Sequence, residues 1–140
     1  MTRKWVIAIS ITGLIMAAGI YIFLTHVKQI DLSETQKLII NFEHTERKSV
    51  HTEVTDPKDF EDLIRICEGT AINDYPSCGF GAVELVFESE KETQKIYPAC
   101  DTCETMRFGE ENTFFYAIES DERAELESIL KKYGIEFPCF

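Results

Sequence analysis

The sequence predicts an α+β fold: one N-terminal transmembrane helix, then a small antiparallel sheet with two helices on one face, in the order ββαββββα. Three observations predict it. Residues 5–24 form an apolar run without a charge, long enough to cross a bilayer. Beyond it, short stretches alternate apolar and polar residues and are joined by connections of hairpin length, as in antiparallel strands. Two longer stretches place apolar residues at helical spacing, as in helices packed by one side. Strands punctuated by helices in this way imply a sheet covered by helices.

The apolar run reads WVIAISITGLIMAAGIYIFL. At ~1.5 Å per residue, a helix of this length spans roughly the ~30 Å hydrocarbon core. A cleaved secretory signal shares the basic start seen at Arg3 and Lys4. Such a signal has a shorter apolar core, ~7–15 residues, and a small-x-small cleavage site. This run finishes in Tyr-Ile-Phe-Leu-Thr-His, so an uncleaved anchor is expected. Arg3 and Lys4 before the run, against Lys28, Asp31 and Glu34 after it, place the N-terminus in the cytoplasm and the rest of the chain outside. Two regions follow: residues 1–28 as cytoplasmic tip and transmembrane anchor, and 29–140 as an acidic extracytoplasmic α+β domain.

In that domain Leu38, Ile40 and Phe42 alternate with polar or outward residues over 36–44, and Val50, Thr52 and Val54 alternate again after a turn at Glu46-Arg47-Lys48. The two make a hairpin. Asp56 and Pro57 open a helix as N-cap and first-turn proline. Its stripe is Phe60, Leu63, Ile64 and Cys67, with Gly69 as the stop. Residues 70–79, with Pro76 and Cys78, read as irregular. Strands follow at 81–88 and 92–98 around Ser89-Glu90-Lys91, then at 106–108 and 113–118 around Gly109-Glu110-Glu111-Asn112. Ser120 caps the second helix, whose stripe is Leu126, Ile129, Leu130 and Tyr133, and Gly134 ends it.

Charge and motifs exclude several functions. The chain has 14 Lys+Arg and 25 Asp+Glu. Only Arg3, Lys4 and Lys28 fall in residues 1–28, so residues 29–140 carry 11 basic and all 25 acidic residues, a net of −14. Nucleic acid is an unfavourable partner for such a surface. No catalytic, phosphate-binding or dinucleotide fingerprint is present, so neither a catalytic residue nor a cofactor is assigned. The acidic groups Glu88/Glu90/Glu92, Glu110/Glu111 and Asp121/Glu122/Glu125 lack calcium-loop spacing and read as solvated surface, able to steer a basic exported protein. His44 and His51 flank a turn without further ligands, and no metal is assigned to them.

The five cysteines lie outside the anchor. In an exported domain they are expected to be structural disulfides, with one thiol left over. If the 81–98 hairpin turns near Glu90, opposed residue numbers sum to about 180. Cys78 then faces 102, in reach of both Cys100 and Cys103, and the remaining member is left for Cys139. Cys67, on the helical stripe, is expected to be the buried free thiol. The competing pairing is Cys67 with Cys139, which frees one cysteine of the Cys100-Asp101-Thr102-Cys103 motif. A structural zinc would need a second closely spaced ligand pair, which is missing.

The expected function is therefore a membrane-anchored extracytoplasmic binding domain. Its partners are the membrane, through one helix, and a basic exported protein. No sequence pattern sets an oligomeric state. The alternative is a membrane-anchored thiol-disulfide oxidoreductase using Cys100 and Cys103. Its motif lacks the β-α-β setting of such enzymes, and Asp101 and Glu104 oppose a thiolate.

Overall fold

The structure, a computed structural model, describes Met16, Gly19 and residues 26–111 and 113–139. The expected anchor over 5–24 therefore lies outside the described residues, apart from Met16 and Gly19. Among the described residues no helix is long and apolar enough to cross a membrane.

Among the described residues from Val27 onward, eight strands and two helices are seen: β1 (Val27–Ile30), β2 (Lys37–Phe42), β3 (Val50–Glu53), α1 (Pro57–Cys67), β4 (Gly69–Asn73), β5 (Val83–Glu88), β6 (Thr93–Pro98), β7 (Thr105–Phe108), β8 (Phe114–Ala117) and α2 (Ser120–Lys132). They form one sheet in the order β1-β4-β8-β7-β6-β5-β2-β3, with every pair antiparallel. The α+β class and the antiparallel sheet with two helices are as expected.

Two strands were not expected. β1 pairs with β4 from Val27↔Ile72 to Ile30↔Gly69, so the sheet includes Val27 and Lys28 as well as the residues from 29 onward. β4 replaces the first half of the segment read as irregular. Both are short and each has one buried residue, Ile30 and Ala71. A four- or five-residue strand with one inward side chain shows no alternation.

The helices begin where local chemistry dictates. Asp56 accepts hydrogen bonds from the N–H groups of Lys58 and Asp59, and Pro57 occupies the first turn. The cap of α2 is Glu119 rather than Ser120: Glu119 and Glu122 form a reciprocal capping box, and the Ser120 hydroxyl donates to Glu104 instead. After α2, Gly134 adopts φ +85°, the left-handed turn that favours glycine. At Gly69 the reason is space: an added Cβ would lie 3.1 Å from the Tyr116 ring.

Register separates two faces. Leu38, Ile40 and Phe42 of β2, Leu85 and Phe87 of β5, Ile96 of β6, Met106 of β7 and Tyr116 of β8 are aligned by the pairings and are buried. With them are buried Leu63, Ile66 and Cys67 of α1 and Leu126, Ile129 and Leu130 of α2. Tyr116 donates its hydroxyl proton to the carbonyl of Cys67 at 2.8 Å, tying this face to the end of α1. The alternate residues form the opposite face, which carries neither α1 nor α2 and is called open below.

Candidate functional site

The open face carries one row of side chains from strand to strand. It runs Ile72, Phe115, Arg107, Tyr97, Glu84, Asn41 and His51 across β4, β8, β7, β6, β5, β2 and β3, each opposite the next except that Tyr97 reaches Glu84 through its hydroxyl. Period-two geometry gives every strand one outward residue at this level. The row has a polar half and an aromatic half.

Glu84 organises the polar half. Its carboxylate accepts from the Tyr97 hydroxyl at 2.7 Å and the Asn41 amide at 2.7 Å, and Lys95 lies at 3.3 Å. Burial pushes the Glu84 carboxyl up, but these donors outweigh it and hold it below its ordinary range. Tyr97 is pushed up to about 12, first by burial and then by its bond to the carboxylate. His51 Nδ1 is 2.6 Å from the Asn41 side-chain oxygen. His44 instead accepts from the N–H of Glu46 and stacks on Phe42, so the two histidines do not face one another. A shallow groove of about 450 Å³ opens beside Asn41, His51, Glu84 and Tyr97.

The aromatic half is built by the 74–82 loop folding onto β7 and β8. Phe80 packs on Phe115 at 5.4 Å between ring centroids. The Arg107 guanidinium lies 4.0 Å from the Tyr97 ring centre and 5.8 Å from that of Phe80. Tyr75 and Ile72 stand beside them, 76% and 49% exposed. Tyr75, Pro76, Phe80, Arg107 and Phe115 line a groove of about 320 Å³.

A disulfide holds that loop. Cys78 is bonded to Cys103, with Cα atoms 6.1 Å apart, joining the loop to residues 99–104 between β6 and β7. Asp101 reinforces the junction by accepting from the N–H groups of Gly79 and Cys103. Burial raises its carboxyl, but those bonds and nearby Arg123 keep it below the usual range. Ligand atoms of Cys78, Asp101 and Cys103 lie within 4.8 Å of one another. Both sulfurs are used in the bond, so this is a staple rather than a metal cage.

The remaining cysteines are buried thiols. Cys67 lies at the end of α1 against the core, and burial raises its pKa well above that of a free thiol. Cys100 points into the core while Cys103 bonds to Cys78, so the two members of the C-x-x-C motif are separated; the chain then enters β7 rather than a helix. Beside Cys100 is Cys139: its N–H donates to the Cys100 carbonyl at 2.9 Å, while the Cys100 thiol donates to the Pro98 carbonyl at 3.9 Å.

Two buried charges were not singled out in the sequence. Arg123 of α2 is 5% exposed and donates to the carbonyls of Ala99 and Asp101, both at 2.9 Å, and to Glu127. Asp59 of α1 is 3% exposed and meets Lys132 and Tyr133 of α2. Arg123 stands three residues before Leu126 and seven before Leu130, which is the signal: a charge on an apolar helical stripe must find buried partners. The acidic groups are partly spent on ion pairs, Glu122 and Glu125 with Arg65 and Glu110 with Lys95. No protein-family model, curated protein or solved structure matches the chain.

Proposed function

We propose that the sheet domain is an extracytoplasmic binding module, tethered to a membrane by one helix over residues 5–24 and engaging an exported protein through its open face. One observation carries the contact surface. Beyond residue 26, the large apolar side chains exposed among the described residues are Ile72 and Tyr75; Ile72 pairs with Phe115 in the row, and Tyr75 lines the groove that Phe115 and Arg107 border. Apolar exposure of this kind, rimmed by polar groups and set on a stapled loop, is the anatomy of a protein contact. The net charge of −14 in residues 29–140 favours a basic partner by long-range attraction. A Cys100/Cys103 oxidoreductase draws no support from the geometry, because Cys103 is bonded to Cys78.

The membrane and contact parts are tested together in intact cells expressing the chain. Added protease is expected to remove the sheet domain while the anchor stays with the membrane. Protection until the membrane is permeabilised would reverse the orientation. The chain is also expected to co-purify with a basic exported protein that moderate salt releases, and Ile72→Ser with Tyr75→Ser is expected to abolish this. Unchanged retention by the double variant would move the contact elsewhere.

A further inference from the structure

We propose that Cys100 and Cys139 are an exchangeable dithiol/disulfide pair, so the redox couple of this fold is Cys100/Cys139 and not the sequence-adjacent Cys100/Cys103. This is independent of the membrane anchor and of the open face. The topology leaves these two sulfurs to each other. Cys103 is committed to Cys78, Cys67 lies at the end of α1, and the Cys139 N–H···O=C Cys100 bond aligns the two backbones. Both side chains are buried in the same core cluster.

The surroundings prepare Cys100 as the attacking sulfur. The neighbouring Cys139 thiol favours the thiolate, burial opposes it, and the N–H groups of Ala82 and Val83 with the Arg123 guanidinium add to the first effect. Arg123 is fixed by the carbonyls of Ala99 and Asp101, on either side of Cys100. Cys139 is pushed the other way, first by the neighbouring Cys100 and then by burial, and so keeps its proton. A thiolate beside a protonated thiol is the arrangement that dithiol exchange uses.

The chemistry balances with an external disulfide as oxidant. The Cys100 thiolate attacks one sulfur of that disulfide; a mixed disulfide forms and the other sulfur leaves as a thiolate. That thiolate takes up the proton released by Cys139. The Cys139 sulfur attacks Cys100, closing the Cys100–Cys139 bond and expelling the second thiolate, which takes a proton from water. Two protein thiols are oxidised and one external disulfide is reduced to two thiols.

Access is controlled by the segment over 135–139. Cys100 and Cys139 are 2% and 0% exposed, and Phe137 lies under the Arg123 guanidinium at 4.5 Å. Exposed Arg47 clamps the segment from outside, donating to the carbonyls of Glu136 at 2.8 Å and Pro138 at 3.1 Å. Exchange therefore requires this segment to lift, and Arg47 sets how often it does.

The test equilibrates the full chain with glutathione over a series of reduced-to-oxidised ratios, followed by acid quench, alkylation and peptide mass spectrometry. The expected result is a Cys100–Cys139 linked peptide that appears on the oxidised side and returns to two thiols on the reduced side, with Cys67 alkylated throughout. Arg47→Ala, a surface change, is expected to speed closure about tenfold, the effect of losing roughly one net hydrogen bond from the clamp. Thiols at Cys100 and Cys139 across the whole series, or a link from Cys100 to Cys103 or Cys67, would overturn the pair. An Arg47→Ala rate equal to that of the unaltered chain would overturn the gating.

Discussion

The two faces of one sheet solve opposite problems with the same strands. The covered face places Leu38, Ile40, Phe42, Leu85, Phe87, Ile96 and Met106 under two helices with almost no solvent contact. The open face, one residue out of phase, carries a cross-strand row of Ile72, Phe115, Arg107, Tyr97, Glu84, Asn41 and His51. Stability belongs to the first, and the second is the surface proposed for recognition. The lesson is in the middle of the row: a face without helices need not be uniformly polar when an arginine bridges two aromatic rings and a carboxylate takes up the tyrosine hydroxyl.

The largest break in this comparison is on the covered side. Leu85→Ala removes a fully buried side chain and is expected to cost about 2–5 kcal/mol in urea unfolding. The staple is next. Removing it as Cys78→Ser with Cys103→Ser is expected to cost about 3 kcal/mol, by the entropy of the loop it closes. The same pair should speed amide exchange across the 74–82 loop while leaving β5 protected. Equal loosening of both segments would mean that the bond serves the core rather than the open face.

Tyr97→Phe tests the polar half and is expected to cost about 1 kcal/mol by losing one hydrogen bond. The pH dependence has a definite sign. Tyr97 ionises at about 12 in the folded chain, above its ordinary value of 10, so the unfolded chain loses that proton first. Stability should then fall between pH 10 and 12, and Tyr97→Phe should remove that part of the slope. Glu84 acts in the acid range: its lowered pKa gives stability above its ordinary value of 4.5 that is lost as pH falls below it. The smallest effect on folding is expected from Ile72→Ser, within about 0.5 kcal/mol, although it removes half of the exposed apolar contact.

Much of the covered face was legible because its period is strict. Val83, Leu85 and Phe87 against Leu38, Ile40 and Phe42 leave one choice of inward side. The staple was nearly legible as well. Opposed residues in the β5–β6 hairpin sum to 181, as in Leu85↔Ile96, and Cys78 and Cys103 share that sum although they lie beyond the two strands. β1 and β4 were not legible, since each hides one residue and finds its partner forty residues away. Nor was the open row: it needs the order of all the strands, and Arg107, Tyr97, Glu84 and His51 are unremarkable polar and aromatic residues until that order brings them together. Arg123 and Asp59 were not legible for another reason: each is a charge on the buried side of its helix, where periodicity marks apolar residues.

The most direct test of the open face as the contact surface is site-resolved photo-crosslinking of the full chain in cells. A benzophenone amino acid would replace Tyr75 on the open face or Ser128, exposed on the outer side of α2. A binding role for the open face predicts one discrete salt-sensitive adduct from position 75 and none from position 128. Adducts from 128 with none from 75 would place recognition on the helical side and contradict it.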